Sequence, residues 1–203
     1  MTKKPARTRL PPEDRRAQLV RHAVASFAEH GIARATQAQV AARAGVSVSA
    51  VYSYFRTRAD LLTAVLEAVE STIVTMVEGA IANSAPPAEA LALLATRTAD
   101  MALQEPDVVR VWLDWSTGVR ADVWPQFLLL QRRLHGLVES VLVRGGDGVP
   151  MPTDLSIKSA ARLFVGGAHT LALMRFEDVG EAEMRVFIDQ MVGGVLRVLP
   201  PHC

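Results

Sequence analysis

The chain has 203 residues, half of them apolar and 5% aromatic, with 22 Lys and Arg against 21 Asp and Glu. That length and apolar share can bury a sizeable core in one large or two modest domains. Cys203 is the only cysteine, which excludes disulfides within the chain and Cys-based metal sites, and no apolar run reaches the ~18 residues of a membrane span.

The net charge of +1 hides an asymmetry. Residues 1–60 carry 11 Lys and Arg against 4 Asp and Glu, whereas residues 61–203 carry 11 against 17. A basic head on an acidic body points to a polyanion as the partner of the head. The basic N-terminus has no apolar segment behind it, so a secretory signal is not expected and a cytoplasmic protein is. Alanine is abundant and β-branched residues do not alternate with polar ones, so the predicted fold is all-α.

In chain order, Lys3, Lys4, Arg7 and Arg9 form a basic arm over residues 1–12. It reads either as a solubilising tail or as a segment that lies along phosphates or in a minor groove. Pro12-Glu13-Asp14 starts the first helix, with proline early and acids in the first turn. Leu19, Ala23 and Phe27 recur along one face, and Gly31 closes it.

Thr36 to Phe55 carries the clearest motif. Two short apolar-periodic segments meet at Ala44-Gly45-Val46-Ser47, where Gly45 suits a left-handed helix end and Ser47 an N-cap. Thr36 caps the first segment, and Val51 and Phe55 are placed four apart on the second helix. This is the pattern of a helix-turn-helix, whose second helix enters the major groove of DNA. Thr57, with Asp60 three residues on, then opens a long helix with Leu62, Val65, Leu66, Val69 and Ile73 on its apolar face. Arg58 falls at the positive end of that helix, where phosphate binds.

Beyond the break at Ser84-Ala85-Pro86-Pro87, helices are predicted over Ala88 to Gln104, from Asp107 to near Gly118, and from about Pro125 to Arg144. Two more span about Thr153 to Phe176 and Glu181 to Leu199. Gly145 to Pro150 reads as a loop, since it lacks the lysine and preceding strand of a phosphate cradle. His22, His30, His135, His169 and His202 show no metal-ligand spacing, and no nucleophile, base and acid arrangement stands out. No enzyme activity, cofactor or metal is expected.

Phe27, Gly31, Thr36, Val40-Ala41, Ala44-Gly45-Val46-Ser47, Val51-Tyr52-Ser53-Tyr54-Phe55 and Arg58-Asp60-Leu61-Leu62 together resemble the N-terminal domain of TetR-family transcriptional regulators. The resemblance is ungapped over roughly residues 13–66. It implies an all-α homodimer of about nine helices, with a DNA-binding domain over residues 13–58 and a ligand-binding and dimerisation domain over 59–203. The last two helices would form the dimer bundle, their small-residue patches Gly166-Gly167-Ala168 and Gly193-Gly194 permitting close contact.

The same resemblance implies that Thr36, Tyr54 and Arg58 contact phosphates while Ser47, Ser49, Ala50, Tyr52 and Ser53 face the groove. Thr36 could serve only as a cap and Tyr54 only as core. The recognition helix has no Asn, Gln or Arg, so bidentate base readout is thin and shape readout gains weight.

A narrower resemblance runs through Arg7-Thr8-Arg9-Leu10-Pro12, Val111 to Thr117, Arg120-Asp122-Val123-Trp124-Pro125 with Phe127, and Leu163-Phe164 with Gly166. These are similar to the quorum-sensing LuxR/HapR/SmcR group within the family. The likeness implies that Arg7 and Arg9 enter the minor groove. It also implies a pocket lined by Ile73, Met76, Val77, Trp112, Phe127, Gln131, Phe164 and Ala168, each of which could equally be core. Ser53 stands where that group carries Asn. The expected function is a homodimeric regulator, repressing or dual in effect, that binds operator DNA and a small apolar ligand. The alternative is a small-molecule-binding or scaffolding helical protein with a vestigial helix-turn-helix.

Overall fold

A computed structural model describes residues 11–82, 85–118, 122–144 and 154–197. Among these residues there are nine helices and no strand, as the composition implied. Arg7, Arg9, the loop at 145–150 and Cys203 lie outside the described residues. The chain divides into two compact units, Met1–Ala68 and Val69–Cys203.

The first unit holds α1 (Pro12–His30), α2 (Gln37–Ala44), α3 (Val48–Tyr52) and the start of α4 (Arg58–Ile81). Proline at the start of α1 lacks one of the free amides, and Glu13 and Asp14 in its first turn place negative charge at the positive end of the helix. Leu19, Ala23 and Phe27 on its inner face are at most 1% exposed, and Val40, Val51, Phe55 and Leu61 of the same unit are buried as deeply. Gly31 ends the helix at φ 81, and its N–H closes on the Phe27 carbonyl at 2.8 Å.

Two helix starts follow side-chain chemistry that is explicit in the sequence. Thr36 and Gln39 form a capping box: the Thr36 hydroxyl accepts from the Gln39 N–H at 3.3 Å, and Gln39 Oε1 accepts from the Thr36 N–H at 2.8 Å. Thr57 and Asp60 make the same reciprocal pair at the head of α4, with distances of 2.9 and 3.0 Å. Each such cap stabilises its helix by about 1 kcal/mol. Gly45 turns the chain between α2 and α3 at φ 64, a left-handed conformation that suits glycine.

α3 is shorter than the spacing of Val51 and Phe55 suggests. It ends at Tyr52, after which Tyr54 and Phe55 donate to the Val51 carbonyl at 3.1 and 2.9 Å. The ladder tightens there, since Tyr54 closes three residues back rather than four, and beyond the helix end buried Gln37 of α2 donates through Nε2 to the Phe55 carbonyl at 2.6 Å. That carbonyl is drawn out of any helical ladder, while the Phe55 ring still enters the core.

The second unit is built from the rest of α4 with α5 (Pro87–Gln104), α6 (Pro106–Thr117), α7 (Trp124–Val143), α8 (Asp154–Phe176) and α9 (Glu181–Leu196). α5 packs on α6, α7, α8 and α9, and α8 also packs on α7 and α9. Leu91, Trp115, Leu130, Phe164 and Leu171 are nearly or fully inaccessible to solvent; burying each contributes roughly 1.5–3 kcal/mol. The Trp115 indole N–H donates to the Val123 carbonyl at 3.0 Å, which removes the cost of burying it. α8 and α9 meet closely at Gly167, where an added Cβ would lie 2.1 Å from Met191 Sδ.

Candidate nucleic-acid interface and ligand cavity

α2 and α3 carry a row of short polar side chains that the core does not use. Thr36, Ser47, Ser49, Tyr52 and Ser53 are exposed, and Ala50 and Tyr54 are half-buried. The Ser47 hydroxyl accepts the Ala50 N–H at 3.2 Å and lies 3.0 Å from the Ser49 hydroxyl. The Ser53 hydroxyl donates to the Ala50 carbonyl at 2.7 Å. The helix is therefore held by its own caps from outside and by Val51 from inside. Its outer face consists of hydroxyls, a methyl and the Tyr52 ring, which can approach a groove edge closely.

Arg58 is only partly exposed. Its Nε donates to the Ala35 carbonyl at 2.8 Å, its Nη2 to the Ile32 carbonyl, and its guanidinium sits 5.8 Å from the Phe27 ring centre. The same side chain thus ties α4 to the turn that precedes α2. Arg16 lies in the same way 5.3 Å from the Phe55 ring centre, and Arg43 pairs with Glu29. Neither Gln37 nor these arginine contacts stood out in the sequence. The only signal for Gln37 is its place directly after a cap, where a polar side chain reaches backbone rather than solvent.

The second unit holds a small, partly open apolar cavity, with about 30 Å³ in which the centre of a water-sized molecule can move. Of the eight expected wall positions, Ile73, Met76, Val77, Trp112, Phe164 and Ala168 line it. Phe127 lies elsewhere, with ring centres 5.6 Å from Trp115 and 5.2 Å from Trp124, and Gln131 is half-buried outside the lining. The wall is completed by Leu94, Thr98 and Met101 of α5, Leu134 and Val138 of α7, and Val165 of α8. Their helical spacing marks them as buried in the sequence, but buried positions that face a void and those that face side chains share one pattern.

Polar atoms around this cavity are few. Thr98 donates its hydroxyl hydrogen to the Leu94 carbonyl at 2.9 Å. The Trp112 and His169 ring centres are 4.1 Å apart. His169 Nδ1 lies 2.9 Å from the Val165 carbonyl, and burial pushes the imidazole below its ordinary pKa although that hydrogen bond pulls the other way. Met76 also borders an open groove lined by Ser71, Thr72, Thr75, Gly79, Ala80 and Arg97. Among the described residues no three His, Cys, Asp or Glu side chains are grouped to hold a metal, and no helix is long and apolar enough to cross a membrane.

Three comparisons agree with this geometry. Residues 19–65 match the family described as "Bacterial regulatory proteins, tetR family". The chain is 30% identical over 178 residues to the HTH-type transcriptional regulator LuxR of Vibrio harveyi, covering 88% of this chain and 87% of that protein. In structure it is similar to a TetR-like transcriptional regulator from Rhodococcus sp. RHA1, with a TM-score of 0.77 at 17% identity over 93% of this chain and 99% of that one. It is also similar to FadR of Bacillus subtilis, solved with stearoyl-CoA, at a TM-score of 0.72 and 18% identity over 91% and 99% of the two chains. The capped helix-turn-helix, the all-α fold and a relative matched over nearly its full length lead to one conclusion: the chain belongs to the TetR family of DNA-binding transcriptional regulators.

Proposed function

We propose that the protein acts as a homodimer that reads a two-fold operator and changes its grip on DNA when a small apolar ligand enters the second unit. DNA reading is assigned to residues 13–58 with the arm 1–12, and ligand response and dimerisation to 59–203. The observation that carries this reading is the exposed face of α3, whose short polar side chains have no packing role in the first unit. Ser47, Ser49, Ala50, Tyr52 and Ser53 would meet the groove, Thr36 and Tyr54 the phosphates, and Arg7 and Arg9 the neighbouring minor groove. Arg58 would serve by fixing the turn that carries Thr36, using donors already engaged with backbone.

The dimer reading draws on α8 and α9. Leu163, Gly166, Thr170 and Leu173 form one exposed stripe on α8, and Val186, Gly193 and Gly194 another on α9. A Cβ at Gly166, Gly193 or Gly194 would meet nothing within 4 Å in the single chain. Glycine inside a helix costs about 1 kcal/mol relative to alanine. These glycines therefore gain a purpose when a second copy approaches closely. An operator overlapping a promoter gives repression as the output, in the cytoplasm where that DNA lies.

The test is binding of the purified chain to its own upstream DNA in gel shifts over a salt series. A saturable complex that weakens steeply with salt supports the reading, because phosphate contacts release counterions. Changes at Ser49 or Ser53 should alter preference between sequences rather than binding in general. Absence of any salt-sensitive complex would favour the vestigial alternative.

A further inference from the structure

Resting on the assignment of the apolar cavity to a ligand, the structure also indicates what polar chemistry that ligand carries. Trp112 Nε1 and His169 Nε2 are both fully buried, and neither has a hydrogen-bond partner among the described residues. A buried orphan of this kind costs about 1–3 kcal/mol, so one is notable and two in adjacent rings more so. Trp112 is 2% exposed and lines the cavity; His169 follows the lining residue Ala168, with its ring centre 4.1 Å from that of Trp112 and a tilt of 34°.

The two atoms are complementary rather than alike. An indole nitrogen only donates. A backbone carbonyl only accepts, so the 2.9 Å contact with Val165 fixes the imidazole proton on Nδ1 and leaves Nε2 with a lone pair. The remaining lining side chains offer no second donor, since the Thr98 hydrogen is committed to Leu94.

We propose that the ligand is a largely apolar molecule with one hydroxyl, which accepts from Trp112 Nε1 and donates to His169 Nε2. A protonated acid or an amide N–H and C=O would satisfy the same pair. A carboxylate would not, because it has no proton for Nε2 and would be desolvated by an apolar wall. An ether accepts from Trp112 but leaves His169 unmet.

The experiment compares 1-butanol, a size suited to the small cavity, with its isomer 1-methoxypropane, which keeps the atom count but has an ether oxygen in place of the hydroxyl, on the full-length protein. Affinity is read by calorimetry, and the Trp112 indole N–H by proton–nitrogen NMR, its signal assigned with Trp112→Phe. The alcohol should bind roughly five- to tenfold more tightly, the worth of one hydrogen bond. It should shift the Trp112 resonance downfield, and His169→Phe should reduce the discrimination below about twofold. Equal binding of alcohol and ether with the Trp112 signal unmoved, as for a bridging water only, would overturn the hydroxyl handle and leave the cavity assignment standing. Failure of both to bind protein that still binds DNA would overturn the cavity assignment as well.

Discussion

Arg58 shows how one side chain can be read in two ways. From its position at the start of a helix it suits a phosphate, yet two of its donors reach the Ala35 and Ile32 carbonyls and its face covers Phe27. Hydrogen bonds from a charged group to backbone are worth about 1.5–3 kcal/mol. Arg58→Ala should lower the midpoint of urea unfolding and weaken binding to all DNA sequences together. Arg58→Lys should recover little, since an ammonium lacks the planar fork. Lost DNA binding with unchanged unfolding would instead place Arg58 directly on a phosphate.

His169 gives a pH signature at the same scale. Burial lowers its pKa from the ordinary 6.5, and His135 is lowered too, first by burial and then by Arg162. With pKa values depressed in the folded state, protons bind the unfolded chain first as pH falls below about 6.5. Stability should therefore be full above that point and decline below it. Replacing His169 by Phe should flatten the decline in urea midpoints measured between pH 7.5 and 5.5. An unaltered slope would show that His169 titrates alike in both states.

Among the helices, what is local was legible and what is long-range was not. Thr36, Gly45, Ser47 and the Thr57–Asp60 pair act through neighbours at most four residues away, so their capping roles could be read from spacing. The bond from Gln37 to the Phe55 carbonyl spans 18 residues, and no spacing rule foretells it. The cavity divides in the same way. Ile73, Met76, Val77, Trp112, Phe164 and Ala168 follow from likeness to relatives, whereas nothing in the sequence sets Leu94, Thr98, Met101, Leu134, Val138 and Val165 apart. The helix stripes also make a prediction. A Cβ at Gly166 meets no atom within 4 Å, so Gly166→Leu should leave the unfolding midpoint nearly unchanged while shifting sedimentation from dimer toward monomer. A dimer unaffected by this change and by Gly193→Leu would move the interface off α8 and α9.

Across the whole molecule, charge and the place of the cavity divide the chain in the same sense. The surplus of basic residues is confined to residues 1–60, and the cavity lies in the acidic remainder. α4 belongs to both units: it supplies Arg58 and Leu61 to the first and Ile73, Met76 and Val77 to the cavity of the second. The most direct test of the central claim is selection of DNA by the purified full-length protein from a random duplex library, at several salt concentrations. A homodimeric operator reader selects a two-fold symmetric sequence with half-sites one helical turn, ~34–36 Å, apart, and its affinity falls steeply with salt. Enrichment of no sequence, or of a single unpaired half-site bound by monomer, would contradict it.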